Sequence, residues 1–506
     1  MPHQHASLEP VLLRKLLKEL GSLRQLMIDT LAEHQSLLAK LHPEQAIGAA
    51  NLLQYLAFRS RDVRKLQDTL HELGLSSMAS AESHICAQLE QIMLRLGWQP
   101  DAAFPAACCY HVGKSGLDAH TRRLFGPQHN GGIKHVMVTL DESSGGSVEL
   151  LEQALIGGMT VARINCAHDG FSEWERWIGN VRDAGKNTGL TCSIYMDLPG
   201  PKMRLSIVKG ANRRGRIKLK VGDEIRLVEQ NRIPETRVKA IACQEAGIVA
   251  QLKTGAEVAI DDGKYTGQIV RKGGACWIRL TRVHGAKPRI EDDKGINFPH
   301  AKLKIPLLTA RDRELLPFIA RHADLMGASF IRTPADVAEL RSVLRKFPRQ
   351  PELILKIETP EAVLHLPDLL LEAMQDRSCG VMIARGDLAV ELGFTHLGDA
   401  QDKLLWLCEA AHVPVVWATQ VLESLNKTGL ATRSEITDAA QAFKAECVML
   451  NKGGYLLETI ATLQEVMQGT DGQRRKKRYT LAPLPEAGEF FARHPRSKRK
   501  KGRGKG

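Results

Sequence analysis

Eight short apolar runs after Gly131, amphipathic stretches between most of them, and one connection long enough for a domain of its own predict an α/β chain. The implied architecture is a (β/α)8 TIM barrel with an inserted all-β lid domain and an N-terminal α-helical extension. Parallel barrel strands are buried on both faces, so they read as continuous apolar segments rather than as alternating ones. A doubly wound open sheet is the alternative that the same alternation allows.

Taken in order, "LEPVLLRKLLKELGSLRQLMIDTLAEHQSLLAKL" and "NLLQYLAFRSRDVRKLQDTLHELGLSS" carry leucines at spacings of three and four and predict helices between residue 8 and about 100. The barrel runs follow: "GIKHVMVTL", "TVARINCAH", "TCSIYMDLP", "DLMGASFI", "ELILKIE", "GVMIARGDL", "VPVVWAT" and "ECVMLNK". Between the third and the fourth, "GRIKLKVGDEIRLVEQ", "GAEVAIDDGKYTGQIVRKGG" and "ACWIRLTRVHGAKPRI" read as hairpins with Gly-Asp and Asp-Gly turns. Such a domain, grown from a loop on the catalytic face, suits a lid. The predicted division is 1–125 helical extension, 126–204 first barrel part, 205–297 lid, 298–470 second barrel part and 471–506 basic disordered tail.

Charge supports that division. Of the formal +13, +11 falls between Gln473 and Gly506, where 13 Lys or Arg face only Glu486 and Glu489. A tail of this kind can bind polyanions weakly and non-specifically, although aromatic interleaving is sparse. The start "MPHQHASLEP" has no secretory pattern and no run is long enough to span a membrane, so a cytoplasmic protein without membrane partners is expected. The ten cysteines show no CxxC spacing, and they read as reduced, buried thiols.

The strand ends carry the chemistry. Lys356 and Glu358 lie two apart on one strand and share a face, where burying both charges is costly unless something compensates. The other ends supply Arg163 and Asn165, Asp197, Asp387, Thr419 and Lys452. A Glu and an Asp on adjacent strands suit a hard divalent ion, Mg²⁺ or Mn²⁺, that also takes substrate oxygens. Cations beside them suit an anionic substrate and phosphoryl transfer, while structural ion pairs remain the plain alternative for any single pair.

As a set, "GMTVARINCAHDG", "MDLPGPKMRL", "AIDDGKYTGQIV", "DDKGINFPHAKLKIPLLTARD", "ASFIRTPADV", "LILKIETPEAV", "GVMIARGDLAVELG", "VPVVWATQVLESL" and "ATRSEITDAAQA" resemble the pyruvate kinase family in the family's own order, over about residues 131–468. The resemblance implies Mg²⁺-dependent phosphoryl transfer from phosphoenolpyruvate to ADP, giving pyruvate and ATP. By position, Glu358 and Asp387 hold the divalent ion, Lys356 neutralises the phosphoryl group, and Arg163 grips its oxygens. Thr419 then lies near the methylene carbon that is protonated, and the backbone of Ala384, Arg385, Gly386 and Asp387 receives the substrate carboxylate. Asn165, His168, Arg204 and Lys294 match positions near the nucleotide. A homo-oligomer is compatible with the resemblance.

Several positions depart from the family pattern. Ala167 and Leu198 replace two hydroxyl residues that help bind K⁺ in relatives, and Lys202 replaces a glutamate, so Lys202 is expected to substitute for the monovalent cation and to make K⁺ unnecessary. "TLDE" at Thr139–Glu142 replaces "TIGP", Pro199 replaces a lysine, and "NKGGY" replaces "SGETA". The usual C-terminal regulatory domain has no counterpart, so its effectors are not expected to act here. The phosphoenolpyruvate half of the pattern is intact and the nucleotide half is altered. The rival reading is a catalytically altered descendant that binds a ligand or acts as a regulator.

Overall fold

The structure, a computed structural model, describes residues 10–100, 108–129, 131, 134–213, 215–229, 238–299, 301, 303–471 and 483–494. Eight parallel strands close the predicted barrel: His135–Thr139, Met159–Asn165, Ser193–Asp197, Leu325–Ala328, Glu352–Ile357, Cys379–Ala384, Val415–Ala418 and Cys447–Leu450. Closure is made by the first strand pairing with the eighth, Val136 opposite Val448. These segments are rich in Val, Ile and Met and almost wholly buried, as strands covered on both faces must be.

The third connection folds as a seven-stranded sheet that spans Leu205–Lys209 to Ile296–Asn297, with a separate two-stranded ribbon. Its core of Ile225, Ile241, Ile269 and Ile278 is distinct from the barrel's. The insert therefore has its own apolar interior and hangs above the catalytic end by two short links.

The helical extension closes the opposite end. Helix Pro10–Glu33 buries Leu16, Leu20, Leu23 and Met27, a stripe at spacings of four, three and four that packs on helices Ala46–Arg59 and Ile85–Arg95. Helix Ala46–Arg59 is buried almost all round because it also faces the barrel floor. There Asn51 Nδ2 donates to the carbonyls of Glu82 (2.7 Å) and Ala410 (2.8 Å), and its Oδ1 accepts from Ile85 N (3.2 Å). The approach is close enough to require glycine at 48, where a Cβ would lie 2.3 Å from the carbonyl oxygen of Ala411. Helix Tyr110–Phe125 ends in Leu124 and Phe125, which join the barrel's interior cluster beside Ile354 and Met382.

The expectation of a disordered tail from 471 fails for one segment. Pro485–Arg493 is a helix whose Ala487 and Phe490 are fully buried. Leu484 N donates to Arg59 O (2.9 Å), and Asp368 accepts from Arg493 Nε (2.8 Å) and pairs with His494 Nε2 (2.7 Å). Pro at the first helical turn and an apolar pair three residues apart are sufficient for a docked helix. Flanking basic runs at 472–482 and 495–506 concealed it in the composition, and they lie outside the described residues.

Candidate active site

At the C-terminal mouth of the barrel a cleft of about 400 Å³ is lined by Arg163, Asn165, His168, Lys202, Arg204, Lys356, Glu358, Ala384, Asp387 and Thr419, with Ser329, Phe330, Arg311 and Met449. The strand register brings its floor together: Arg163 stands opposite Tyr195, Asn165 opposite Asp197, and Lys356 opposite Met382.

The compensation for burying Lys356 and Glu358 is an alternating charge network. Lys356 Nζ donates to Ser329 Oγ (2.7 Å) and lies 3.0 Å from Glu358 Oε1 and 3.6 Å from Asp197 Oδ1. Arg163 Nε donates to Asp197 Oδ2 (2.7 Å) and Nη1 to Thr139 Oγ1 (2.9 Å). Two cations thus face two carboxylates that are each 1% exposed. Burial acts to lower the Lys356 ammonium's pKa, but Asp197 and then Glu358 outweigh it and hold the group above its ordinary value. Burial likewise acts to raise Asp197, but Arg163 and Lys356 hold it below the usual carboxylate range.

Glu358 also accepts from the backbone N–H of Phe330 (2.6 Å), a residue held at φ +56°, where a non-glycine backbone is strained. The strain aims that N–H at the carboxylate. Burial, opposed by the charge of Lys356 and assisted by that of Asp387, raises the Glu358 carboxyl above its ordinary range. No group of three or more His, Cys, Asp or Glu gathers as a metal site among the described residues. Two carboxylates that leave the remaining positions to water and substrate suit Mg²⁺ or Mn²⁺ rather than a soft metal.

Asp387 does not end the sixth strand as expected. It occupies the first turn of helix Arg385–Leu392, because the chain turns helical directly after Ala384, and Lys202 Nζ donates to its Oδ1 at 2.7 Å. Arg385 and Gly386 do not line the cleft. Arg385 Nε bonds to Ala418 O (2.8 Å), its other nitrogens to Asp438 and the Thr419 carbonyl, and its guanidinium stacks 4.8 Å from the Trp417 ring. Gly386 N donates to Thr419 Oγ1 (2.8 Å), with Thr419 at φ +66°.

In the other half, Asn165 Oδ1 accepts from Ala167 N (3.2 Å) and Arg204 bonds to the Asp293 carbonyl (2.7 Å). Lys294 is turned from the cleft and pairs with Asp261 in the lid (3.1 Å). Burial, then the charges of Lys452 and Arg204, lower the pKa of His168. The two acids of "TLDE" do not line this space. Asp141 caps helix Glu142–Gly145, and Glu142 is exposed and paired with Arg176. Sequence reasoning missed Ser329 and the Phe330 amide, since no pattern marks a backbone donor, and missed Arg311, which reads as an ordinary first-turn helix residue.

The chain is similar to members of one protein family. The family model "Pyruvate kinase, barrel domain" matches residues 133–460. Pyruvate kinase of Geobacillus stearothermophilus is 32% identical over 343 residues, covering 64% of this chain and 55% of that protein. Pyruvate kinase 1 of Trypanosoma brucei brucei is 31% identical over 352 residues, 68% of each. The chain thus spans about half to two thirds of the length of the curated relatives it matches. A solved pyruvate kinase from Cryptosporidium parvum superposes with a TM-score of 0.61 at 26% identity, over 70% of this chain and 73% of the other. The chain belongs to the pyruvate kinase family.

Proposed function

We propose that the chain transfers the phosphoryl group of phosphoenolpyruvate to ADP, giving pyruvate and ATP. The observation that carries this reading is Lys356, a buried ammonium whose neighbours keep it charged at the floor of the cleft. Phosphoryl transfer needs charge neutralisation and positioning more than covalent help, and this network supplies both.

In this reading Lys356 faces the phosphoryl group and Arg163, fixed by Asp197, binds its oxygens. Glu358 and Asp387 would hold Mg²⁺ or Mn²⁺, which when bound draws charge from the phosphoryl and carboxylate oxygens. Thr419 stands beside the first turn of helix Arg385–Leu392 and borders the enolate carbon, and the backbone of Ala384 and Asp387, the residues of that segment that line the cleft, receives the carboxylate. Asn165, His168 and Arg204 bind the nucleotide phosphates, joined by Lys294 when the lid moves. The Lys202 ammonium at Asp387 serves as a built-in monovalent cation, so K⁺ is not required.

Pyruvate formation from phosphoenolpyruvate and ADP with Mg²⁺, measured with and without K⁺ in the wild type and Lys356→Met, tests the reading. Turnover without K⁺ that collapses in the variant supports it. Tight phosphoenolpyruvate binding without turnover on any nucleoside diphosphate would replace it with the ligand-binding alternative.

A further inference from the structure

We propose that the buried hydroxyl of Tyr195 is a positioning group for this reaction: it saturates Asp197 Oδ1 and so leaves Lys356 directed at the cleft. The proposal rests on the phosphoryl-transfer reading for its consequence and on independent geometry for its cause.

Tyr195 lies two residues before Asp197 on the third strand, points into the barrel and is 0% exposed. Its companions there are Val161, Leu325, Ile354, Val416 and other apolar side chains, so a phenylalanine would serve packing equally well. A hydroxyl in such a place costs free energy unless it is bonded. Tyr195 Oη donates to Asp197 Oδ1 at 2.6 Å and also lies 3.9 Å from the Met382 sulfur, a much weaker acceptor. Space for it is made by Gly327 on the adjoining fourth strand, directly opposite Asp197. A Cβ at 327 would lie 2.0 Å from Tyr195 Oη and 2.1 Å from Asp197 Oδ1, so any other residue would displace the hydroxyl.

The distances show what the hydroxyl does. Oδ2 of Asp197 is taken by Arg163, and Oδ1 by Tyr195, with Lys356 Nζ held off at 3.6 Å. Lys356 instead makes its shorter contacts to Ser329 (2.7 Å) and Glu358 (3.0 Å). Without the neutral donor, Oδ1 would have Lys356 as its nearest available donor and would draw the ammonium down from the cleft. The groups acting on Asp197 are Arg163 and Cys166 from the second strand and its loop, Lys356 with Glu358 behind it from the fifth, and Tyr195 from its own strand. Tyr195 is the one among them that donates without adding a charge.

Tyr195→Phe keeps the ring and removes only the hydroxyl. We expect kcat to fall about tenfold, the size of one hydrogen bond to a charged group, with KM for phosphoenolpyruvate within about twofold of wild type. The acid limb of the kcat/KM profile should move to higher pH, because a hydrogen bond to a carboxylate lowers its pKa. Carbon NMR titration of protein labelled at aspartate Cγ, assigned with Asp197→Asn, should show Asp197 titrating at higher pH in the variant. That readout does not need turnover. A wild type inactive on every nucleoside diphosphate would overturn the kinase reading while the titration still decides the role of the hydroxyl. Folded Gly327→Ala should reproduce both signatures. Wild-type kcat, pH profile and Asp197 titration in Tyr195→Phe would overturn the proposal and leave Tyr195 as a satisfied core residue.

Discussion

The two ends of the barrel solve opposite problems. At the mouth, Arg163, Asp197, Lys356 and Glu358 are buried together, and the cleft-lining backbones of Asp169, Phe330 and Thr419 are held at positive φ. At the floor, the helical extension inserts Leu124 and Phe125 and binds through neutral groups such as Asn51. Buried ion pairs contribute little net stability because desolvation offsets their attraction, whereas apolar burial and satisfied neutral hydrogen bonds are reliably favourable. The mouth therefore carries chemistry at the expense of stability, and the floor supplies the stability. Substitutions at the two ends should separate accordingly.

The largest effect belongs to the mouth. Lys356→Met should lower kcat by at least about 10²-fold, the scale for losing one preorganised charge donor. Its urea midpoint should stay near wild type, since Glu358, already raised by burial, can take up a proton once its partner is gone. A variant that unfolds instead would show Lys356 to be a structural ion pair. At the floor, Asn51→Ala leaves the Glu82 and Ala410 carbonyls and the Ile85 amide without a partner, a loss of about 3–5 kcal/mol. Urea denaturation should report that loss, and kcat of the folded fraction should not change. Reduced kcat in Asn51→Ala would break the separation.

The floor should also set the pH dependence of stability. His135, at the start of the first strand, has its pKa lowered to about 4 by burial, with His129 and Lys134 adding to the effect. It is neutral when folded and takes a proton near pH 6.5 when unfolded, so stability is complete above that pH and falls by about 3 kcal/mol as pH drops toward 4. Glu352, at the start of the fifth strand, has the opposite sign. Burial raises it to about 7 and Arg123 opposes the shift, so its contribution is present below the unfolded value near 4.5 and is lost as pH rises through 7. Denaturation curves across pH 4–8 should show the acid slope flatten in His135→Gln and the slope toward pH 7 flatten in Glu352→Gln.

The mouth was more legible in the sequence than the floor. Barrel strands announce themselves as uninterrupted Val, Ile and Met, and a charge within such a run, as at Lys356 and Glu358, is conspicuous because it violates the pattern. Asp387 was displaced by one helical turn only because strand and helix meet without a loop at Ala384. Contacts made by backbone, such as Phe330 N–H to Glu358, leave no trace in side-chain patterns. Helix Tyr110–Phe125 places its two decisive residues, Leu124 and Phe125, at its very end, behind a polar, glycine-containing stretch without clear amphipathic period. Tyr195 reads as one more strand residue until Gly327 is seen beside its hydroxyl.

The smallest predicted effect tests whether the two ends communicate. Helix Pro485–Arg493 packs on helix Pro360–Leu364, which begins two residues after Glu358, and on Ala46–Arg59 of the extension. It thus touches both the segment leaving the mouth and the element that seals the floor. Arg493→Ala removes one of two partners of the buried Asp368, and His494 remains. The loss should be about 1 kcal/mol, modest because Arg493 is half-exposed and the remaining imidazole can accept or share the charge. If the ends are independent, KM for phosphoenolpyruvate will not move. A higher KM at unchanged stability would mean that the C-terminal helix holds Glu358 in place through Thr359 and Pro360, and that the stabilising end of the molecule reaches the reacting one through this side of the barrel.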